Sequence, residues 1–283
     1  MAEVSTPSFA FTIAGSEATG GAGYQVDLKT FQQLGVYGSG ALTCIVSMDP
    51  DNNWNHRFVP VPPTVIHDQI QAALRSQTIR TTKVGMLGHP DTIRVVADAL
   101  KSQEWDNVVL DPVLICKGQE PGQALDTDNA LRTQVLPLAT VTTPNLFEAQ
   151  TLSGMDSITT VEELVEAAKR IAAQGPRYVV AKGGVDLPGE DAVDVLWDGQ
   201  AATIYRAKKV GREKVSGAGC TLAAAITAEL AKGKNIHQAV KIAKDMVTIG
   251  ILHRVSAHTP FDTIYQGAYT EGTPAPTTTE TLS

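Results

Sequence analysis

Short hydrophobic runs alternate with longer amphipathic stretches along most of the chain. The short runs are rich in β-branched residues and almost continuously apolar, which is typical of strands that helices cover on both faces. They lie at residues 9–14, 41–48, 83–86, 108–110, 140–143, 178–182 and 192–197. The longer stretches have apolar residues at helical spacing, and they lie at residues 23–34, 64–78, 91–101, 127–136, 145–153, 161–174, 221–232 and 236–253. This alternation predicts an α/β fold with a mostly parallel central sheet flanked by helices.

Two further segments complete the predicted layout. Trp197-Asp-Gly-Gln200 has the composition of a tight hairpin turn, which predicts an antiparallel edge late in the sheet. Residues 270–283 are rich in Thr and Pro and are predicted to be disordered. Because no linker or internal repeat divides residues 1–269, we expect a single domain there.

Composition and charge narrow the function classes. The 283 residues include 23 Lys and Arg against 30 Asp and Glu, a formal net charge of −7, and no basic cluster that would bind nucleic acid or an anionic membrane. No run of about 18 apolar residues is available to span a bilayer, and the N-terminus lacks the features of a secretory signal. Three scattered cysteines, Cys44, Cys116 and Cys220, do not suggest a disulfide framework. These features predict a cytoplasmic protein that binds neither nucleic acid nor membranes.

Two glycine-rich segments, residues 15–23 and 217–219, precede predicted helices. The first has P-loop spacing, but a Gly-Ala pair stands where a P-loop requires Lys and Ser or Thr. Neither segment has the third glycine of a dinucleotide-binding fingerprint, because Val26 and Leu222 follow instead. Backbone N–H groups at a helix start can still bind an anion, although glycines that only permit tight turns would explain either segment alone.

Several segments, taken in order, resemble the hydroxymethylpyrimidine (phosphate) kinases of the ribokinase-like superfamily. The segments are Ala14-Gly-Ser16 with Gly20-Gly-Ala-Gly23 and Gln25-Val-Asp-Leu-Lys-Thr30, Lys83-Val-Gly-Met-Leu-Gly88, Asp111-Pro-Val113, Thr143-Pro-Asn-Leu-Phe-Glu-Ala149, Lys182-Gly-Gly184 and Ser216-Gly-Ala-Gly-Cys220. The resemblance covers residues 9–270. It implies a ribokinase-like three-layer sandwich, with a mostly parallel central sheet between helices and a short lid loop, and it implies a homodimer.

Two positions within this group are similar to the dual-cysteine pyridoxal kinases. Cys116 stands where pyrimidine kinases usually have Ala, and Met48 where they usually have Gln. The resemblance implies ATP- and Mg²⁺-dependent phosphorylation of the 5′-hydroxymethyl of pyridoxal, with pyridoxine and pyridoxamine as further substrates and a monovalent cation as an additional candidate cofactor. The alternatives are a hydroxymethylpyrimidine or phosphomethylpyrimidine kinase of thiamine biosynthesis, an enzyme with both activities, and a non-catalytic vitamin-binding protein. Glu17 departs from the family pattern, where Asp is common.

Cys220, at the start of a predicted helix, is the general base that the resemblance implies. Free backbone N–H groups at a helix start favour a thiolate, so we expect a lowered pKa for this cysteine. The resemblance also implies that the N–H groups of Gly217, Ala218 and Gly219 form an anion hole for the transferred phosphoryl group. Cys116 in the lid would work with Cys220, one thiol adding to the aldehyde of pyridoxal while the other helps to move protons. The competing interpretation is that both cysteines are small packing residues.

Asn145 and Glu148 allow two interpretations. Their spacing is typical of a capping box at a helix start, whereas the resemblance implies that they hold the Mg²⁺ on the ATP phosphates. A capped helix is a rigid support for metal ligands, so the two interpretations are compatible. The resemblance adds Asp111 near the same metal and Lys182 next to the ATP phosphates, with Asn145 and Gly219 as further ATP contacts.

On the substrate side, the resemblance implies contacts from Ser16, Asp27, Met48, His56, Met86 and Val113. Ordinary structural roles compete with these. A solvated helix face would explain Asp27, and methionines often fill cores. His56 is predicted on a polar loop, from which it would cover the substrate ring. Cys44 lies inside an apolar run and is predicted to be in the core.

Overall fold

A computed structural model describes residues 6–114 and 121–282 of the chain. Within these residues the strands form one ten-stranded sheet in the order β10-β9-β8-β7-β6-β5-β4-β1-β2-β3. The strands are β1 (Phe9–Glu17), β2 (Tyr37–Asp49), β3 (Asn55–Pro60), β4 (Thr81–Val84), β5 (Asn107–Leu110), β6 (Val141–Thr142), β7 (Tyr178–Lys182), β8 (Asp191–Trp197), β9 (Ala202–Lys208) and β10 (Thr278–Leu282). The helices are α1 (Gly23–Gln33), α2 (Pro63–Ser76), α3 (Pro90–Lys101), α4 (Pro121–Ala130), α5 (Leu146–Ser153), α6 (Val161–Ala172), α7 (Ala218–Ala231) and α8 (Ile236–Leu252).

The centre of the sheet is parallel and its margins are antiparallel. Strands β2, β1, β4, β5, β6 and β7 run parallel, while β3 pairs antiparallel on one side and β8, β9 and β10 on the other. The predicted hairpin turn connects β8 to β9, and Asp198 Oδ1 accepts hydrogen bonds from the backbone N–H groups of Gln200 at 2.9 Å and Ala201 at 2.8 Å. The parallel strands therefore end along one edge, where ligands bind in open α/β sheets.

Two hydrophobic cores lie on opposite faces of the sheet. Alternate residues of a strand point to opposite faces, so that in β1 Ala10 joins one core while Phe11 and Ile13 join the other. Helices α2, α3, α5 and α6 contribute to the core of Phe11, and α1, α7 and α8 to the core of Ala10. The molecule is thus built of three layers. None of the helices in the described part of the chain has the length and hydrophobicity needed to span a bilayer.

The C-terminal tail corrects one sequence prediction. Residues 270–283 were expected to be disordered, but β10 pairs antiparallel with β9 over its whole length, from Thr278 opposite Arg206 to Leu282 opposite Ala202. The threonines of the tail have high β propensity, and the free edge of β9 supplies backbone partners that tail composition does not reveal. The prediction of disorder is therefore wrong for this strand.

His56 corrects a second local prediction. The residue lies in β3 instead of a polar loop, and it is paired across the hairpin with Met48 of β2. Residues 52–54 form the turn between these strands, with positive φ at Asn53 (50°) and Trp54 (58°). The hydrophobic pattern did not predict β3, because this short strand contains few apolar residues and no hydrophobic run.

Candidate active site

A cavity of about 490 Å³ opens where the carboxyl ends of the parallel strands meet the first turns of α5 and α7. Most of the residues predicted for catalysis, phosphate and metal line it: Asp111, Asn145, Glu148, Lys182, Gly217, Ala218, Gly219 and Cys220. They come from four separate parts of the chain, so the tertiary structure alone brings them together. The cavity also extends to α8, where Lys244 and Val247 form part of the wall.

Lys182 and Asp111 form a buried ion pair in this cavity. Lys182 Nζ lies 3.2 Å from Asp111 Oδ1, and Thr143 Oγ1 donates to the same oxygen at 3.3 Å. Burial by itself would raise the pKa of Asp111, but Lys182 and Lys83 outweigh it and the net shift is downward. Burial would likewise lower the pKa of Lys182, yet Asp111 and Glu148 raise it overall. The pair is therefore ionised at neutral pH.

Glu148 belongs both to the cap of α5 and to the lining of the cavity. Its backbone N–H donates to Asn145 Oδ1 at 3.0 Å and its Oε2 accepts from the Asn145 N–H at 2.8 Å, so the capping box expected from the sequence is present. The same carboxyl group is almost completely buried against the cavity. This burial, with a smaller contribution from Asp111, raises its pKa to about 7 despite the opposing charge of Lys182.

Asp111 and Glu148 have side chains of the kind that Mg²⁺ binds in proteins. The two carboxyl groups interact electrostatically with each other and with Lys182. Lys83 also acts on Asp111 but is paired with Asp27, so this side of the cavity has a surplus of negative charge when both carboxyl groups are ionised. Among the described residues no group of three or more His, Cys, Asp or Glu side chains could hold a metal by itself. Mg²⁺ commonly takes one or two protein carboxylates and completes its coordination with water and substrate phosphates.

Gly217 is the first residue of the second glycine-rich segment, and its backbone conformation favours glycine. It is the N-cap of α7 in the left-handed region, with φ of 81°, and a Cβ at this position would collide with the backbone oxygen of Gly21. The neighbouring Ser216 Oγ donates to that same Gly21 oxygen at 3.1 Å. The two glycine-rich segments are therefore packed against each other, with the N-terminus of α7 directed at the cavity. Of the three predicted anion-hole amides, that of Ala218 also donates to Val215 O at 3.4 Å.

Comparison with known proteins identifies the family. Residues 17–262 match the phosphomethylpyrimidine kinase family. The chain belongs to this family. It is 48% identical to pyridoxine kinase of Bacillus subtilis over 86% of this chain and 89% of that protein. It is 39% identical to hydroxymethylpyrimidine/phosphomethylpyrimidine kinase of Haemophilus influenzae over 86% of this chain and 90% of that protein.

The solved structures of the family show the same fold. Pyridoxal kinase from Staphylococcus aureus, in complex with AMP-PCP and pyridoxal, superposes with a TM-score of 0.89 at 36% identity, covering 98% of this chain and 99% of that chain. The ribokinase-like α/β architecture expected from the sequence is therefore confirmed. The lid loop and Cys116 lie outside the described residues, so their predicted roles stay predictions.

The pKa of the Cys220 thiol differs from the value expected from the sequence. The residue is in α7 and partly buried. Burial raises its pKa to about 11, although Lys83 and a hydrogen bond from the Gly23 backbone act in the opposite direction. The expected lowered pKa is wrong, because removal of the thiol from water outweighs the cations and amides around it.

The predicted substrate residues fall into two groups. Ser16, Met48, His56, Met86 and Val113 are half-buried, and Val113 lines the cavity. Ser16 Oγ accepts a hydrogen bond from Gln25 Nε2 at 2.7 Å, which leaves its own proton available to a ligand. Asp27, in contrast, is completely buried.

Asp27 forms an ion pair with a residue that sequence reasoning did not select. Lys83 Nζ lies 2.8 Å from Asp27 Oδ1 and 2.9 Å from Oδ2, and Thr12 Oγ1 donates to Oδ2 at 2.6 Å. With these partners and no exposed surface, Asp27 does not present its carboxylate to a ligand in this structure. The signal for Lys83 was available, because a charged residue opens an otherwise apolar strand run at residues 83–86.

Gly15, the first residue of the first glycine-rich segment, packs closely against Cys44 of β2. Cys44 is fully buried, as predicted. A Cβ on Gly15 would collide with Cys44 Sγ and would lie 2.9 Å from Met86 Cε. A side chain at position 15 would not fit, because β1, β2 and the segment that follows β4 approach one another closely at Gly15. Met86 lies in that segment.

Proposed function

We propose that this protein transfers the γ-phosphoryl group of ATP to the 5′-hydroxymethyl of pyridoxal and uses Mg²⁺ for the transfer, with pyridoxine and pyridoxamine as further substrates. The observation that carries the proposal is the convergence of Lys182, Asp111, Glu148 and Cys220 on one cavity. A protein that only bound a vitamin would not need a phosphate cation, two metal-binding carboxylates and a candidate base. The names of the relatives agree with this activity, since one is a pyridoxine kinase and another binds AMP-PCP and pyridoxal.

Lys182 and the N-terminus of α7 would bind the phosphates. The ammonium group of Lys182 is a compact cation held by Asp111, and the first N–H groups of a helix carry partial positive charge. These fixed groups stabilise charge that builds up on the transferred phosphoryl, which is the main catalytic contribution in phosphoryl transfer. Mg²⁺, when bound at Asp111 and Glu148, would neutralise further charge on the phosphates.

Cys220 would accept the proton of the substrate hydroxyl. As the O–P bond forms, the bond between the γ-phosphorus and its bridging oxygen breaks, ADP departs and the hydroxyl proton passes to the thiolate sulfur. Because the pKa of Cys220 is about 11 in the protein alone, only a small fraction of the residue is thiolate at neutral pH. A rate that rises with pH therefore follows from this assignment.

Met48 and Cys116 support pyridoxal over hydroxymethylpyrimidine as the substrate. Met48 cannot donate the hydrogen bond that the usual Gln would provide, and a thiol at position 116 has a partner only in a substrate with an aldehyde. The identity to the Haemophilus influenzae enzyme favours hydroxymethylpyrimidine or its phosphate as a second substrate.

Release of ADP from ATP tests the proposal. We expect the largest kcat/KM with pyridoxal, and smaller values with pyridoxine, pyridoxamine, hydroxymethylpyrimidine and hydroxymethylpyrimidine phosphate. Omission of Mg²⁺ and the Cys220→Ala variant are the matched controls, and K⁺ against Na⁺ tests the monovalent cation. A preference for a pyrimidine would make thiamine biosynthesis the main role, and no turnover with any of the five would leave a vitamin-binding protein.

A homodimer and a reducing compartment complete the proposal. Ile45 and Val59 are paired across β2 and β3 and expose 51% and 58% of their surface, which suits an apolar contact with a second copy. Cys44 and Cys220 are free thiols, and Cys220 must stay reduced to act as a base, as it would in the cytoplasm. Light scattering of the purified protein and cell fractionation test the two statements, and a monomer or an exported protein would contradict them.

A further inference from the structure

Lys83 is a fully buried lysine in the middle of the sheet. It lies on β4, opposite Thr12 of β1, and 1% of its side chain is exposed. The hydrogen-bonded partner of its ammonium group is Asp27 on α1, which in turn accepts from the Thr12 hydroxyl. Three elements therefore fix the position of one cation.

Stability alone is a poor explanation for this arrangement. Removing two charges from water costs about as much as their attraction returns, and apolar residues of similar size commonly serve a core equally well. Perturbed, buried charges are instead concentrated at functional sites. A buried charge of this kind suggests a role for Lys83 in the candidate active site.

The side chain of Lys83 lies between β4 and the helices that cover it, because its ammonium group binds Asp27 of α1 and α7 packs against the same strand. A Cβ on Gly85 would lie 3.1 Å from Lys83 Nζ, so the side chain runs along β4 to its carboxyl end. Helix α7 packs against β4 and β5, and Cys220 lies in its first turn. Charge–charge interaction links Lys83 and Cys220.

The groups around Cys220 oppose one another in sign. Lys83 and Lys182 favour its thiolate, while Asp27 and Asp111 disfavour it. Lys83 has a larger effect on the pKa of the Cys220 thiol than either carboxylate has. Burial would lower the pKa of Lys83, but Asp27 together with Cys220 and Asp111 raises it overall, so the cation is permanent at physiological pH.

We propose that Lys83, held by Asp27, is a positioning residue whose fixed positive charge stabilises the thiolate of Cys220. This inference rests on the proposed function, because it gives Cys220 a reason to be a thiolate. Lys83 touches neither substrate in this scheme. It acts only through the sulfur.

Alkylation of Cys220 by iodoacetamide measures the thiolate directly, without any catalytic turnover. The rate is proportional to the thiolate fraction at a pH below the pKa. Trypsin releases Cys220 as the single cysteine of residues 215–232, so mass spectrometry separates it from Cys44 and Cys116. Rates are compared at several fixed pH values between about 7.5 and 9.5.

Lys83→Met is expected to slow alkylation of Cys220 by about tenfold or more at each pH, which corresponds to a rise of about one unit in the pKa of the thiol. The double variant Asp27→Asn/Lys83→Met removes the whole pair and leaves no unpaired buried charge. It should also be slower than wild type, by a smaller factor, because Asp27 opposes the thiolate. If Lys83→Met fails to fold, the double variant decides.

Lys241→Met is the control. Lys241 forms an ion pair with Asp245 Oδ2 at 2.8 Å, but it lies on α8 outside the lining of the cavity. Alkylation of Cys220 in this variant should be as fast as in wild type. An unchanged or faster rate in the folded Lys83 variants, or an equal loss in Lys241→Met, would overturn the proposal.

Kinetics provide the second measurement. The pH at which kcat rises should move upward in Lys83→Met while the KM for ATP changes little, whereas loss of packing alone would not shift the pH profile. Should wild type phosphorylate none of the candidate substrates, the proposed function fails, but the alkylation ratio still decides whether Lys83 controls the sulfur. The two failures are therefore distinguishable.

Discussion

Lys182 Nζ lies 3.2 Å from Asp111 Oδ1, although 71 positions separate the two residues in the chain. Lys182 ends β7 and Asp111 directly follows β5, and these two strands flank β6 in the sheet. Lys182 Nζ would also lie 3.3 Å from a Cβ on Gly219, so the ion pair, the candidate metal carboxylates and the first turn of α7 converge. Five testable consequences follow from this convergence and from the fold that creates it.

Replacement of Cys220 tests the base. Cys220→Ala should lower kcat by about 10²-fold or more with little change in the KM for ATP, because proton transfer is lost while phosphate binding is retained. Cys220→Asp should keep part of the activity toward alcohols such as pyridoxine and should remove the rise of rate with pH that a pKa of about 11 creates in wild type. Steady-state kinetics between about pH 7 and 9.5 check both. Near-normal turnover in Cys220→Ala would exclude the role.

Glu148→Gln separates metal binding from helix capping. Gln retains the hydrogen bond to the Asn145 N–H that Oε2 makes at 2.8 Å, so the folded state should persist. Loss of the carboxylate should raise the Mg²⁺ concentration needed for half-maximal rate by about tenfold. Titration of activity with Mg²⁺ and circular dichroism are the measurements. An unfolded variant, or an unchanged requirement for Mg²⁺, would mean that Glu148 serves only the cap.

The pKa of Glu148 also predicts a pH dependence of stability. Its pKa rises from an ordinary 4.5 to about 7 in the folded protein, so the unfolded state loses this proton first as pH increases. Glu148 therefore reduces the free energy of unfolding progressively between pH 4.5 and 7, by at most about 3 kcal/mol. Urea unfolding of wild type and Glu148→Gln without metal should show the variant gaining relative stability over this range. A constant difference between the two would contradict the raised pKa.

Cys116→Ala tests whether the second thiol is specific for an aldehyde. A hemithioacetal can form with pyridoxal but not with pyridoxine or hydroxymethylpyrimidine. The variant should therefore lose several-fold in turnover of pyridoxal, about 1 kcal/mol in transition-state free energy, and little with the other two. All three substrates are measured at saturating ATP. An equal loss across them would reduce Cys116 to packing or lid closure.

Removal of residues 277–283 tests the C-terminal strand. The truncation exposes the edge of β9 and removes the bond from the Thr277 N–H to Asp245 Oδ1 at 3.1 Å, so the melting temperature should fall by several degrees. Glu280→Gln, which removes only an exposed ion pair of 4.0 Å with Arg206, should change it very little. Because β10 is the edge strand of the sheet, whereas the helix that carries Cys220 packs against β4 and β5, kcat should stay within about twofold in both. An unchanged melting temperature would show that β10 adds no stability.

Local sequence accounts for much of the candidate site. The glycine-rich segments open α1 and α7 as predicted, and Asn145 and Glu148 form the capping box that their spacing indicates. Such features depend on hydrogen bonds between residues a few positions apart, which a sequence displays directly. The order of motifs along the chain was sufficient to predict the family, and the family was sufficient to predict the fold.

Long-range contacts decided what the individual side chains do. From the sequence, Asp27 was expected to be solvated or to bind substrate. In the structure it forms a buried ion pair with Lys83, because β4 places Lys83 next to α1. Cys220 looked like a helix-start thiolate, yet burial raised its pKa. The tail looked disordered until the edge of β9 supplied its partners. Periodicity and short motifs encode which backbone a segment adopts, whereas desolvation and charge depend on residues that are distant in sequence and meet only in the folded protein.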